Sequence, residues 1–226
     1  MSQCFLYNNC NHINCDKMCP RKIKMSYLFT IAELPENKWT DQRLAIDADG
    51  TDLAEFNQLA SIKEKIVSFV KNGANLYLHS SNSGNGKTSW AIKLAQAFIN
   101  KTWKSYEFDE CAVLFVSVPK FLEAIKRNFT TPDEYATRLL SLIPKADLVI
   151  WDDIAAKAGS EYEINKLLSL IDGRVALNKA NIYTSNLNST EIYNALGSRL
   201  ASRICNMSID IELHGGDKRC LAIKQF

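Results

Sequence analysis

The sequence predicts an α/β protein in which a five-stranded parallel sheet is covered by helices on both faces. A small cysteine-rich N-terminal module precedes that sheet. The prediction comes from five short apolar runs, from amphipathic helical stretches between them, and from four cysteines within the first 19 residues. Parallel strands need long crossover connections, usually helices, which cover both faces. The expected architecture is therefore a doubly wound three-layer domain.

Composition sets the outer limits of this interpretation. The chain has 226 residues, of which 46% are hydrophobic, and this is enough to bury a full core. Its net charge of +2 argues against a fold that is basic over its whole surface, although a local basic patch remains compatible with it. The sequence has no apolar run near the roughly 18 residues of a membrane helix and no signal-peptide core. We expect a cytoplasmic protein with reduced cysteines and no membrane association.

The cysteines divide the chain into a predicted module at residues 1–50 and a main domain at residues 51–226. Closely spaced thiols in a reducing compartment favour a metal over disulfides, and zinc prefers four sulfur or nitrogen ligands. The tightest set of four predicted zinc ligands is Cys10, His12, Cys15 and Cys19, with Cys4 as the alternate for His12. The alternative is a set of free thiols in a frayed terminus.

The elements of the main domain follow from apolar periodicity and capping signals. Strands are predicted at 76–79, 112–118, 147–151, 181–184 and 208–213. Capping boxes are expected to open helices at Ser61–Glu64, Thr131–Glu134 and Ser160–Glu163. Further helices are predicted at 90–100 and 120–129, and one is expected to start at Asn188 or Ser189 and to end near Arg203.

A glycine-rich loop lies between the first strand and its helix. The run Ser81–Thr88, SNSGNGKT, matches the phosphate-loop pattern except that Ser81 replaces its first glycine. Backbone N–H groups and a helix N-terminus in such a loop bind phosphate, and Lys87 would reach the β- and γ-phosphates. Candidate nucleotide contacts are Ser83, Gly84, Asn85, Gly86, Lys87, Thr88 and Ser89, with Thr88 also toward Mg²⁺. The alternative is a plain turn with a solvated lysine.

Polar residues follow two later strands. Asp152 and Asp153 end an apolar strand, where the first would hold Mg²⁺ and the second would orient or deprotonate water. Such strand ends line the ligand cleft of open α/β sheets. Asn186 follows the fourth strand and could contact the γ-phosphate or the attacking water, or could instead belong to a helix cap.

A basic helix lies near the C-terminus. Arg199 and Arg203 are four residues apart and share one helix face. An arginine supplied by a neighbouring subunit can stabilise charge on a γ-phosphate. The alternative is a solvated basic face, which the helix dipole also favours.

Five segments, SNSGNGKTSW, DLVIWDDIA, IYTSNL, LGSRLASRI and IELHGGDKR, together resemble the DnaC/DnaI-type replicative helicase loaders, an AAA+ ATPase group. The resemblance covers roughly residues 53–226. It implies that Lys87 and Thr88 are the Walker A pair and that Asp152 and Asp153 are the Walker B pair. Residues implied in catalysis at the same site are Asp153, Asn186 as sensor 1, Arg203 as arginine finger with Arg199 beside it, and Arg219 as sensor 2. Asp153 stands where many AAA+ members have glutamate.

The resemblance also implies partners. ATP with Mg²⁺ would lie between subunits of an ATP-dependent homo-oligomer, and the N-terminal module would bind a DnaB-type helicase. Single-stranded DNA would contact the ATPase domain, with Lys120, Lys126 and Arg127 as candidates; these three could equally be a solvated helix face. Two other functions remain open: an IstB-like transposition ATPase, and a nucleotide-binding helicase adaptor or inhibitor without turnover.

Overall fold

A computed structural model describes residues 4–6, 10, 18–40, 44, 50–156 and 160–218. The strands are β1 (Asn75–His79), β2 (Val113–Ser117), β3 (Leu148–Asp152), β4 (Ala180–Ser185) and β5 (Ile209–Glu212). The helices are α1 (Pro20–Ile31), α2 (Leu53–Glu64), α3 (Ile66–Lys71), α4 (Lys87–Thr102), α5 (Val118–Arg127), α6 (Glu134–Leu142), α7 (Glu161–Ala176) and α8 (Ser189–Cys205). Two short 3₁₀ turns cover Glu36–Lys38 and Trp103–Ser105.

The five strands form one parallel sheet in the order β2-β3-β4-β1-β5, which confirms the predicted α/β class and strand number. The register pairs His79 of β1 with Ser185 of β4, and Ser117 of β2 with Asp152 of β3. The carboxyl ends of the strands therefore meet at one edge, where open α/β sheets bind ligands.

Alternate strand residues feed two hydrophobic cores, one on each face of the sheet. On β1, Leu76 and Leu78 join the core shared with α1 to α4, while Tyr77 joins the core shared with α5 to α8. The same alternation holds on β3, where Ile150 and Trp151 face opposite cores. This is the three-layer arrangement that buried parallel strands require.

The N-terminal residues that the structure describes pack against the main domain. Met25, Leu28 and Phe29 of α1 are buried in the same core as the sheet. The carbonyl of Ala32 accepts a hydrogen bond from the Phe115 N–H of edge strand β2 at 2.7 Å. Helix α1 thus shares a core with residues beyond position 50. The division into two domains near residue 50 stays a prediction.

Of the three predicted capping boxes, one is correct and two are wrong, and the predicted helix start at Asn188 carries a further box. Ser160 caps α7 with Glu163, and Asn188 caps α8 with Glu191, each through reciprocal hydrogen bonds. Ser61 lies inside α2, which begins eight residues earlier at Leu53, so it caps nothing.

Thr131 is replaced as a cap by Asp133, whose carboxylate accepts the Ala136 N–H at 3.0 Å. The Asp133 backbone is held in place by Asn128, whose side-chain oxygen accepts its N–H at 2.8 Å. Asp133 also pairs with Arg127, and these contacts place the cap two residues later than the sequence pattern predicts.

Among the described helices, none is long and apolar enough to cross a membrane.

A buried arginine stabilises the amino ends of the strands. Arg174 of α7 is 1% exposed, and burial lowers the pKa of its guanidinium to about 10. Its five hydrogen bonds go to the Asn181 side chain at 2.7 Å and to the carbonyls of Ile143, Ala146, Asp147 and Ala180 at 2.5–3.4 Å. One side chain therefore supplies hydrogen-bond donors to the buried carbonyls of the loop before β3 and of the start of β4.

We expect Arg174→Ala to lower the free energy of unfolding by about 3–5 kcal/mol, because it leaves several buried acceptors without donors. Urea unfolding measures the loss. The matched control is Arg138→Ala, which removes a half-exposed arginine paired with Glu33 and should cost about 1 kcal/mol or less. Equal losses in the two variants would contradict the assigned role.

Candidate functional site

The loop between β1 and α4 contains glycines that let a ligand approach its backbone closely. Gly84 and Gly86 have φ of 77° and 108°, in the left-handed region that favours glycine. Buried Asn85 donates from Nδ2 to Ser80 Oγ at 2.6 Å and to the Leu213 carbonyl at 3.2 Å. Ser81 has no positive φ, so the serine at this position is compatible with the turn.

Lys87 is the first residue of α4 and is 6% exposed. Its Nζ donates to the Asn82 carbonyl at 2.8 Å, to Asn85 Oδ1 at 3.3 Å and to the Ser80 carbonyl at 3.4 Å. The ammonium is thus held inside the loop, at a helix N-terminus that favours anions.

Asp152 connects this loop to the sheet. Its Oδ1 accepts hydrogen bonds from Thr88 Oγ1 and Thr184 Oγ1, both at 2.8 Å. Burial raises the pKa of the Asp152 carboxyl, while the two hydroxyl donors and the Lys87 charge act in the opposite direction. Hydroxyl and carboxylate oxygens are the ligand types that Mg²⁺ accepts.

Asp153 and Asn186 line the same cleft of about 350 Å³ as Ser83–Ser89. Asp153 has a φ of 56° and directly follows β3, and its N–H donates to Thr184 Oγ1 at 2.9 Å. The structure therefore brings the predicted nucleotide, magnesium and water-orienting candidates together at one edge of the sheet. Lys38, from the 3₁₀ turn after α1, also lines this cleft.

The segment after β5 covers the loop. The Lys218 N–H donates to the Gly84 carbonyl at 3.0 Å. The Asp217 carboxylate lies against Gly84, where an added Cβ would come within 2.0 Å of it. Buried Asp52 accepts the N–H groups of His214 and Gly215 at 2.6 and 2.8 Å. Arg219 lies just outside the described residues.

Arg199 and Arg203 lie away from this cleft. They line an exposed depression between α7 and α8, with Asp172 and Tyr193. Arg203 Nε is 2.6 Å from Asp172 Oδ1, and the arginine side chain is 46% exposed. Neither arginine is among the described residues that line the loop cleft of their own subunit.

The three basic candidates around α5 each have a partner within the chain. Lys126 Nζ is 3.1 Å from Glu163 Oε1, and Arg127 Nε is 3.0 Å from Asp133 Oδ2. Lys120 Nζ lies 4.2 Å from the ring centroid of Tyr135. Their role toward DNA stays a prediction.

Of the five predicted zinc ligands, His12 and Cys15 lie outside the described residues. Cys4 and Cys10 pack partly buried against the core, and Cys19 precedes α1. Within the ranges that the structure describes, no three His, Cys, Asp or Glu side chains are grouped to hold a metal. The zinc site remains a prediction from the sequence alone.

Three residues of the site were not assigned from the sequence: Thr184, Asp52 and Lys38. Thr184 stands two residues before Asn186 in a polar run that pointed to the correct strand end. Asp52 and Lys38 have no local signal, because a lone acid or lysine in a polar stretch is typical of solvated surface.

The site combines a glycine-rich loop at a helix N-terminus with a buried lysine and a hydroxyl–carboxylate pair, on a five-stranded parallel sheet. These features define a P-loop domain. The chain belongs to the IstB-like ATP binding protein family, whose model matches residues 13–207.

Known relatives and structures agree with this assignment. The chain is 25% identical over 150 residues to the replicative helicase loader DnaC of Escherichia coli, and to the DnaC of Shigella flexneri to the same extent. The match covers 66% of this chain and 58% of each relative, so the chain spans little more than half of their length.

Solved structures share the fold. A crystal structure of the DnaC helicase loader aligns with a TM-score of 0.63 at 15% identity, covering 79% of this chain and 99% of that one. The crystal structure of DnaI aligns with a TM-score of 0.58 at 22% identity, covering 81% and 93%.

The raised pKa of Asp152 gives a pH-dependent prediction. Between its unfolded and folded pKa values the native state binds the extra proton, so this carboxyl costs stability as pH rises. Asp152→Asn keeps an Oδ1 acceptor for both threonines and removes the charge. We expect the variant to be more stable than wild type at pH 7, and the difference to shrink toward pH 4, by urea unfolding.

Thr88→Ala provides the second arm of this test. It removes a hydrogen bond that stabilises the carboxylate, so the stability of this variant should fall more steeply with rising pH than that of wild type. A difference between Asp152→Asn and wild type that is constant from pH 4 to 7 would contradict the assignment.

Proposed function

We propose that this protein is an ATP-dependent loader of the replicative DNA helicase, which binds and hydrolyses ATP at subunit interfaces and places the helicase on single-stranded DNA. The observation that carries the proposal is the Thr88–Asp152 contact beside buried Lys87. It occurs in a chain whose curated relatives are named replicative helicase loaders.

Phosphate binding would use the loop as it is built. The N–H groups of residues 83–89 and the N-terminus of α4 supply partial positive charge to the β- and γ-phosphates. Lys87 Nζ already contacts three loop oxygens, and it would exchange some of them for phosphate oxygens. The same donor would then neutralise part of the triphosphate charge.

The residues present fit a magnesium ion. Thr88 and Asp152 offer a hydroxyl and a carboxylate oxygen 2.8 Å apart, and a bound Mg²⁺ would supply charge neutralisation to the phosphates. A nearby cation favours the ionised form of Asp152, opposing the burial that raises its pKa.

Hydrolysis would depend on the other two residues of the cleft. Asp153 would orient the attacking water and accept its proton, and Asn186 would hold the water or the γ-phosphate by hydrogen bonds. The products are ADP and inorganic phosphate. Because Asp153 has a shorter side chain than the glutamate of many AAA+ members, we expect slow, partner-stimulated turnover.

Arg203 would act on the ATP of a neighbouring subunit, with Arg199 beside it and Arg219 acting from the segment over the loop. The exposed position of Arg203, away from its own loop cleft, supports a role in trans. ATP would then favour assembly of a homo-oligomer, since an arginine finger completes the site only across an interface.

The N-terminal module would bind a DnaB-type helicase, with zinc as its structural metal. Single-stranded DNA would contact α5. Lys126 and Arg127 each face a carboxylate now, so a DNA phosphate would have to replace Glu163 or Asp133 as their partner.

The family match favours a second candidate, an IstB-like transposition ATPase acting on duplex DNA. A third candidate is a helicase adaptor or inhibitor that binds nucleotide without turnover. Both candidates would use the same phosphate loop. The transposition ATPase would differ from a loader in its partner, and the adaptor or inhibitor in the absence of ATP hydrolysis.

Co-purification with a DnaB-type replicative helicase, with and without ATP, tests the proposal. We expect capture of the helicase and ATP turnover stimulated by helicase and single-stranded DNA. Lys87→Ala should abolish turnover, because it removes the charge held in the loop. Failure to capture a helicase, combined with duplex DNA binding, would favour the transposition ATPase; capture without turnover would favour the adaptor.

Arg203→Ala should spare nucleotide binding but lower turnover by about 10³-fold or more, with loss of ATP-dependent assembly. Turnover assays and size-exclusion chromatography with ATP measure the two effects. The matched control is Asp172→Asn, which breaks the same ion pair and keeps the arginine. If both variants behave alike, or if Arg203→Ala retains assembly and turnover, the arginine-finger assignment is wrong.

A further inference from the structure

The short turn after α1 places a lysine in the lining of the cleft beside the phosphate loop. Lys38 lies at the end of the 3₁₀ turn Glu36–Lys38 and lines the same cleft as Ser83–Ser89, Asp153 and Asn186. It is half-buried, and it stands far from Lys87 in the sequence. The cleft is therefore lined by a second lysine, which comes from outside the elements that form the phosphate loop.

The backbone at Lys38 is fixed to the helix that the phosphate loop opens. Gln96 of α4 is 5% exposed, and its Nε2 donates to the carbonyls of Lys38 and Trp39 at 2.5 and 3.1 Å. The Trp39 indole donates to the Leu34 carbonyl at 3.0 Å and packs edge-on against Phe29 of α1. The position of Lys38 is thus set by buried contacts to α4 and to α1.

Electrostatics favours a phosphate as the ligand of this side chain. Lys38 shares the cleft with the loop N–H groups and with Lys87, and a triphosphate is the polyanion that such a cleft selects. A flexible lysine in the lining of this cleft can extend its ammonium to phosphate oxygens bound there.

We infer that Lys38 is a phosphate-binding residue of the nucleotide site, and that it couples the N-terminal segment to the nucleotide. This inference rests on the proposed function, because it requires a nucleoside triphosphate in the loop. Coupling follows from linkage: if Lys38 binds the phosphates, nucleotide stabilises the docked turn, and the docked turn strengthens nucleotide binding to the same extent. Residues 34–40 lie within the module that we propose binds the helicase, so nucleotide state would reach that module directly.

The test measures dissociation constants for ATP, ADP and adenosine with the full chain. Lys38→Ala should weaken ATP binding about tenfold, as the loss of a charge-assisted hydrogen bond implies, and should leave adenosine binding unchanged. Lys38→Arg should retain most of the affinity. The matched control is Lys71→Ala, an exposed lysine before β1 at the opposite edge of the sheet, with wild-type affinity expected.

Hydrogen exchange and a double-mutant cycle provide readouts that a purely structural role would not produce. ATP should slow amide exchange at 34–40 in wild type and not in Lys38→Ala. Gln96→Ala should weaken ATP binding when Lys38 is present. In the Lys38→Ala background, the same substitution should cause little further loss of ATP affinity.

Two outcomes would overturn the inference: unchanged ATP affinity in Lys38→Ala, or an equal loss for adenosine, which would indicate packing rather than phosphate binding. Neither would affect the proposed function, which fails instead if the wild-type protein binds no nucleoside triphosphate.

Discussion

One carboxylate oxygen, Oδ1 of Asp152, joins the phosphate loop to the sheet. It accepts the hydroxyls of Thr88, at the start of α4, and of Thr184, near the end of β4. Three elements are thereby fixed relative to one another within hydrogen-bond precision. Burial of the carboxyl costs free energy and raises its pKa, and the two hydroxyls offset part of that cost. Two hydroxyls and one carboxylate, oxygen groups of the kind that Mg²⁺ accepts, therefore meet beside the phosphate loop.

Both terminal regions of the described chain converge on this loop. After β5, the backbone is clamped by Asp52 and then hydrogen-bonds to Gly84 through the Lys218 N–H. Before α2, the turn at Lys38 is held by Gln96 of α4. The segment after β5 is therefore bonded to the loop itself, and the turn at Lys38 to the helix that follows the loop.

Strands and loop were predictable because each has a strong local cause. A parallel strand buried on both faces reads as an apolar run, and the loop needs glycines at Gly84 and Gly86 where φ is positive. Caps were less predictable, because the same residue pattern also occurs where it has no capping role. Ser61 and Glu64 are exposed residues in the last turns of α2, whereas Ser160 and Glu163 complete a box at a true helix start. Only the preceding backbone conformation separates the two cases.

The sequence by itself determined the α/β class, the five strands, the loop with Lys87 and Thr88, and the acidic end of β3, because these depend on neighbours in the chain. Tertiary structure alone decided that Thr184 shares the Asp152 oxygen, that Arg174 is buried among backbone carbonyls, and that Lys38 lines the cleft. The local sequence around a lysine or arginine does not show whether its side chain lies in solvent or in a buried hydrogen-bond network. Its role is set by the elements that pack around it, and those elements come from distant parts of the chain.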